Sequence, residues 1–290
     1  MIQSVAFIGL GAMGYRMAAH LPKHFDTVYV WNRNFAKAEQ HAAEYGTQAV
    51  ELAQAVQADI IFSCLPTSTE VENLIAQIQL KAGSVWVDCT SGVPESAKKL
   101  VQQLEVQQVD FLDAPVSGQT IGAENATLTV MIGGKAAAFE KALPAIQAFG
   151  KVIQHVGEPG AGFAVKAVNN MLMAVSLCAA AEGFTTLKAH GVNLNQALQC
   201  INASSGKSAV TEMILPQRVL NRTFPNTFAL PLLAKDTGIA LDLVREAALP
   251  APVLALTQSL IQAANLSAEK NSDFSTAVKM YELWSKITLE

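Results

Sequence analysis

The chain has 290 residues, a formal net charge of −4, 51% hydrophobic residues and only 15% charged ones. That length holds one large domain or two of ordinary size, and the apolar fraction implies extensive buried surface. The slight acidity excludes the basic stripe of a nucleic-acid binder and the polybasic face of a membrane-surface protein. Cys64, Cys89, Cys178 and Cys200 lie far apart with neither C-x-x-C nor metal-ligand spacing. No metal is expected, and the pattern fits the reduced thiols of a cytoplasmic protein. The first strand starts close behind Met1, which leaves no room for a signal or transit peptide, and the most apolar helical stretch, 171–181, is shorter than a bilayer span.

In chain order, Val5, Ala6, Phe7 and Ile8 predict an apolar strand, followed at once by Gly9, Leu10, Gly11, Ala12, Met13 and Gly14, a helix over 15–21 and a second strand over 27–31. This order places backbone N–H groups and a helix N-terminus where a pyrophosphate binds. Gly9 permits the tight turn, Gly11 lets a diphosphate approach the main chain, and Gly14 lets the helix press against the strand. An ordinary βα turn with incidental glycines is the competing reading. At the end of the second strand, an NAD site carries Asp or Glu to bind the ribose hydroxyls. Here stand Asn32, Arg33 and Asn34. A guanidinium suits a phosphate monoester, so the expected cofactor is NADP(H). NAD is the alternative, with Arg33 as a solvated surface residue.

A helix over 36–45 and a strand over 59–64 come next, broken at Leu65 and Pro66, and then a helix over 70–79. Strands are predicted at 85–89, ending in Thr90, Ser91 and Gly92, and at 111–114 and 128–132. Such alternation predicts a parallel, doubly wound sheet of Rossmann type, with the loops 65–68 and 90–92 lining the nicotinamide side of its ligand crevice. Across 157–162 glycines and Pro159 punctuate the chain, and every later apolar segment has helical length: 163–189, 194–203, 209–220, 232–249, 252–264 and 272–287, the last with Ser272 as N-cap. The expected architecture is an α/β dinucleotide-binding domain over 1–160 and an all-α substrate and dimerisation domain over 161–290. The long apolar helix 163–189 predicts that helical domains associate as a homodimer or homotetramer.

Hydride transfer at an alcohol carbon also moves a proton on oxygen, so an acid/base group must sit beside the substrate. Lys166 is the candidate. It lies one turn into the helix after the glycine punctuation, in an apolar stretch, with Asn170 four residues on and on the same face. Desolvation in an apolar cleft would disfavour its ammonium form and bring its pKa toward working pH. From spacing alone, a lysine snorkelling from a buried helix beside a core asparagine fits equally well.

Four motifs in order resemble those of the β-hydroxyacid dehydrogenase family over essentially the whole chain: the glycine-rich turn 9–14; Asp113, Ala114, Pro115, Val116, Ser117 and Gly118; Gly160, Gly162, Lys166, Asn169 and Asn170; and Lys235 with Asp236. The family includes 3-hydroxyisobutyrate dehydrogenase and the tartronate, glyoxylate and succinic semialdehyde reductases. The resemblance implies Lys166 as catalytic acid/base, Asn170 as its partner at the substrate oxygen, and Ser117, Gly118 and Gln119 at the substrate carboxylate. It further implies Leu65, Pro66 and Ser91 beside the nicotinamide, and Lys235 closing over the site from the cofactor side. Convergence of a hydroxyl and backbone N–H groups at Ser117 and Gly118 suits an anion, although an ordinary turn has the same residues. Asp113 reads as a loop or capping carboxylate and Asp236 as an ion-pair or helix-start residue. Gln119 and Ala126 stand where the family has glycine, so a positive φ at Gln119 would strain or reshape the loop. The related imine reductases generally lack the lysine, so Lys166 argues for a hydroxyacid or aldehyde acid, with an imine-reductase-like enzyme as an alternative. A non-catalytic NADP-sensing protein on the same fold is the alternative from another class.

Overall fold

Val5 and Phe7 point to one face of strand β1 (Val5–Ile8), Ala6 and Ile8 to the other, and both faces are buried in apolar clusters. Strands covered by helices on both sides are apolar at every position rather than at alternate ones, which explains the continuous runs of the first half. The structure, a computed structural model, describes residues 2–290, which divide into compact units at 2–166 and 167–290.

In the first unit β1 is followed by α1 (Gly14–Ala18), β2 (Val28–Trp31), α2 (Phe35–Tyr45), β3 (Gln48–Ala49), α3 (Leu52–Ala55), β4 (Ile60–Ser63) and α4 (Ser68–Ile75). There follow β5 (Val85–Asp88), α5 (Pro94–Glu105), β6 (Asp110–Asp113), β7 (Val116–Ser117), α6 (Gln119–Glu124), β8 (Leu128–Gly134), α7 (Ala136–Ile146) and β9 (Gly150–Gly157). The strand order is β3-β2-β1-β4-β5-β6-β8-β7, with β9 on β8. From β3 to β6 every pairing is parallel. The expectation of a wholly parallel sheet needs one correction, because β8 runs antiparallel to both β6 and β7. After only Ala114 and Pro115 the chain continues from β6 into β7 in the same direction, and it turns back through α6 to lay β8 between the two.

The predicted helix 15–21 is shorter: α1 ends at Ala18, and a separate 3-10 turn spans Leu21–Lys23 around Pro22, whose missing N–H interrupts a regular ladder. By contrast α4 starts two residues earlier than predicted, at Ser68 behind Thr67, whose hydroxyl donates to the Glu70 carboxylate in the first turn. Strands β3, β7 and β9 were not expected. Two are only two residues long, and β9 is exposed at most positions and lacks an apolar run.

The 29-residue helix α8 (Ala161–Ala189) crosses the unit boundary. It is followed by α9 (Leu194–Asn202), a π-helical segment Val210–Val219, α10 (Leu230–Glu246), α11 (Pro252–Ser267), a 3-10 turn Phe274–Ala277 and α12 (Val278–Ser285). The apolar stretch 171–181 is therefore part of a helix whose length and composition would suffice to cross a membrane. Its Ala174, Leu177, Ala181 and Phe184 instead fill the core of the second unit with Leu198, Leu215 and Phe274. Pro216 lies inside the π-helical segment, where the Leu220 N–H bonds to the Leu215 carbonyl at 2.9 Å, five residues back. The expected cap Ser272 is displaced by one residue. Asp273 caps the last helical segment, accepting the Ser275 N–H at 3.0 Å while forming a buried ion pair with Arg218 at 3.0 Å.

Candidate active site

Strand β1 lies between β2 and β4, so the order reverses at β1, and the crevice beyond its carboxyl end is the topological switch point. Gly9 occupies it with φ 94°. A Cβ there would lie 2.5 Å from the Cys64 carbonyl oxygen and 2.7 Å from the Leu65 side chain, so only glycine brings the β1 turn this close to the β4 loop. At Gly11 the reverse holds: no atom lies within 4 Å of where its Cβ would be. Among the described residues the N–H groups of Gly11, Ala12 and Met13 have no hydrogen-bond partner, and Gly11 and Ala12 are exposed. Three free donors around an open cradle fit the pyrophosphate of a dinucleotide.

Asn32 has a further task that sequence reasoning missed. Its Oδ1 accepts the Leu10 N–H at 3.0 Å, and its Nδ2 donates to the Asn34 carbonyl at 3.0 Å, which ties the glycine turn to the end of β2. Arg33 and Asn34 are exposed beside it.

A buried polar chain joins the loops after β4 and β5. Trp86 Nε1 donates to Ser63 Oγ at 2.8 Å, Ser63 Oγ to Asp88 Oδ1 at 2.8 Å, the Thr90 N–H to the same oxygen at 3.1 Å, and the Leu65 N–H to Thr90 Oγ1 at 3.1 Å. Leu65 and Ser91 are thereby held on one rigid framework, with Pro66 exposed next to Leu65. The available signal was a polar residue in each of two apolar strands, since Ser63 and Asp88 are partners in register. The neighbouring thiols are inert fillers: burial pushes Cys64 up to about 12 and Cys89 well above its ordinary value.

Ser117 ends β7 half-buried, and Gly118 follows with φ 137°. Gln119 opens α6 with φ 58° and Ala126 follows that helix with φ 53°. Both non-glycine residues thus adopt the left-handed conformation, at a cost of about 1 kcal/mol each. Asp113 is a capping carboxylate. Its Oδ1 accepts the Gly160 N–H at 2.8 Å and its Oδ2 the Phe163 N–H at 2.9 Å, at the start of α8.

On α8, Lys166 is 9% exposed and Asn170 4% exposed, one turn apart on the same face. Asn170 Nδ2 donates to Asp236 Oδ2 at 2.6 Å, and its Oδ1 accepts from Asn169 Nδ2 at 3.1 Å. Lys235 Nζ lies 3.2 Å from Asp236 Oδ1, so Asp236 is an ion-pair residue as expected. Asn170, Lys235 and Asp236 form one cluster in the second unit, while the glycine turn, Asn32, Leu65 and Ser91 gather at the strand ends of the first. No group of three or more His, Cys, Asp or Glu side chains among the described residues could hold a metal ion.

Residues 4–157 match the family model of the NAD binding domain of 6-phosphogluconate dehydrogenase, and residues 160–281 that of the NAD-binding domain of NADP-dependent 3-hydroxyisobutyrate dehydrogenase. Over 292 residues the chain is 36% identical to 2-(hydroxymethyl)glutarate dehydrogenase of Eubacterium barkeri, covering 98% of this chain and 97% of the relative. The chain belongs to the β-hydroxyacid dehydrogenase family. Further similarity extends to the NAD-dependent L-serine dehydrogenase of Pseudomonas aeruginosa, 32% identical over 97% of this chain and 98% of the relative. The solved 3-hydroxyisobutyrate dehydrogenase of Mycobacterium tuberculosis, a structure with L-serine, superposes with a TM-score of 0.88 at 28% identity, covering 97% of this chain and 99% of that one. As a β-hydroxyacid dehydrogenase the protein is an NAD(P)-binding oxidoreductase acting on a hydroxyl-bearing carbon. The open cradle at Gly11 and the three free N–H groups are the residues that fit its cofactor.

Proposed function

We propose that this β-hydroxyacid dehydrogenase interconverts a small aldehyde acid and its hydroxyacid using NADP(H), with Lys166 as general acid/base. The observation that carries this reading is a buried lysine in an apolar turn, one turn from an asparagine whose amide is fixed by Asp236 at 2.6 Å. A desolvated ammonium with a rigid neighbour suits proton transfer to a single substrate oxygen. Ser117 Oγ and the Gly118 N–H hold the substrate carboxylate, with Gln119 beside them, and Asn170 orients the oxygen on which the proton moves. In the reducing direction Lys166 gives its proton to that oxygen as negative charge develops there; in the oxidising direction it takes the proton back. The bound dinucleotide supplies or accepts the hydride.

Arg33 supports NADP(H) because an exposed guanidinium at the end of β2 meets a 2′-phosphate where a carboxylate would repel it. Leu65, Pro66 and Ser91 line the nicotinamide side, with Lys235 covering it. Exposed Val165, Val168 and Leu172 along α8 support a homodimer or homotetramer, which sedimentation at micromolar concentration tests.

The deciding experiment is NADPH consumption with succinic, tartronate and methylmalonate semialdehydes and glyoxylate, followed by Lys166→Ala with kcat expressed per folded site. A loss of about three or more orders of magnitude in kcat with unchanged NADPH affinity is expected. Near-native turnover defeats the assignment of Lys166. Tight NADPH binding with no turnover on any aldehyde acid favours a sensor.

A further inference from the structure

Asp113, the last residue of β6, is fully buried in a socket made by glycines. A Cβ at Gly133 of β8 would lie 2.5 Å from its Oδ1, and one at Gly162 would lie 3.0 Å from its Oδ2. Only the absence of those side chains lets the carboxylate reach the start of α8. There it accepts the N–H groups of Gly160 and Phe163, at 2.8 and 2.9 Å. A helix start has donors that its own ladder cannot satisfy, and a local Ser, Thr, Asp or Asn ordinarily meets them. Residues 160–162 of this chain are Gly, Ala and Gly, so a distant strand supplies the cap instead. Lys166 follows Phe163 by three residues, less than one helical turn, and its backbone position is tied to where that turn is pinned.

We propose that Asp113 is a positioning residue: by fixing the Gly160 and Phe163 N–H groups it sets where Lys166 presents its amine, and losing or protonating its carboxylate lowers turnover without weakening cofactor binding. The inference rests on the reading of Lys166 as acid/base. Asp88 of β5 is its partner in register, and His155 of β9 bonds through Nε2 to the Gly134 carbonyl at 2.7 Å, next to Gly133. Glu158 places its backbone carbonyl near Gly133, and on α8 itself Lys166 is the charged group of the first turns, with Glu182 and Lys188 farther along. Burial raises the Asp113 carboxyl to about 6, against the pull of the Gly160 and Phe163 N–H groups and with a small push from Asp88. A protonated carboxyl presents an O–H to one of two donors, so one of the two bonds is lost.

The test combines kcat against pH with amide NMR of the wild-type enzyme. The wild type should show an acidic limb in kcat with its midpoint at about 6, and the Gly160 and Phe163 amide shifts should titrate with the same midpoint. Asp113→Asn should behave as the protonated enzyme at every pH, with no acidic limb there, kcat at neutral pH down about tenfold or more, and the NADPH Kd within about twofold. A folded Asp113→Asn enzyme that keeps wild-type kcat and its limb overturns the proposal, even if its Tm falls, because a purely structural cap moves stability alone. If Asp113→Asn does not fold, the wild type decides: amides that titrate apart from the kcat limb refute the link. Failure of the underlying reading is recognised separately, as near-native turnover of Lys166→Ala.

Discussion

The side-chain amide of Asn170 donates to Oδ2 of Asp236 at 2.6 Å, while Lys235 lies 3.2 Å from Oδ1 of the same carboxylate. One buried carboxylate on α10 therefore orients an amide on α8 and a lysine on its own helix. Its bonded amide hydrogen fixed, Asn170 has a second one to offer elsewhere.

Removing that acceptor should cost stability. Asp236→Ala leaves the buried Asn170 amide without its bond, an expected loss of about 1–3 kcal/mol read from urea midpoints. Asp236→Asn keeps a carbonyl acceptor and should cost less, and equal losses would show that the hydrogen bond is not what the carboxylate contributes.

Cofactor choice should depend on Arg33. Arg33→Ala is expected to raise the Kd for NADPH about tenfold or more, by loss of a charge-assisted contact, and to leave NADH within about twofold. Fluorescence titration with both cofactors checks it. Parallel losses would reduce Arg33 to a surface residue.

Two stabilising changes are expected at the left-handed positions. Ala126→Gly removes the penalty of a Cβ at φ 53°, and after subtracting the added freedom of the unfolded chain should gain up to about 0.5 kcal/mol. Gln119→Gly at φ 58° should gain a similar amount. If its side chain also binds substrate, KM rises in Gln119→Gly and not in Ala126→Gly.

Stability should carry the signature of Asp113. Its carboxyl is raised in the folded protein from 3.8 to about 6, chiefly by burial, so the folded state holds a proton that the unfolded chain has released. This contribution is fully present below about pH 3.8 and is lost as pH rises through about 6. Comparing urea midpoints of wild type and Asp113→Asn across that window, the variant should lack this decline with rising pH; identical slopes would remove Asp113 as the titrating group.

Substrate anchoring separates from proton transfer in kinetics. Ser117→Ala should chiefly raise KM for the acid substrate, by about tenfold, with kcat little altered. A fall in kcat at unchanged KM would move Ser117 from binding to the chemical step.

Local sequence by itself determined the strand, glycine turn and second strand of the cofactor site, the change from alternating to helical segments near 160, and Lys166 with Asn170 on one helical face. Each follows from short-range rules: an apolar run buried on both faces, a backbone approach that only glycine allows, and a 3.6-residue period. What the tertiary structure decided involves partners far apart in the chain. Asn32 holding Leu10, Asp113 capping α8 from β6, Asp236 gripping Asn170, and the chain from Trp86 to Leu65 all join residues that no local pattern relates. The antiparallel return of β8 was hidden for the same reason, since strand direction is set by where the chain comes back to the sheet and not by the residues that make it a strand. A buried carboxylate must find donors wherever the fold brings them, and only the assembled fold says which they are.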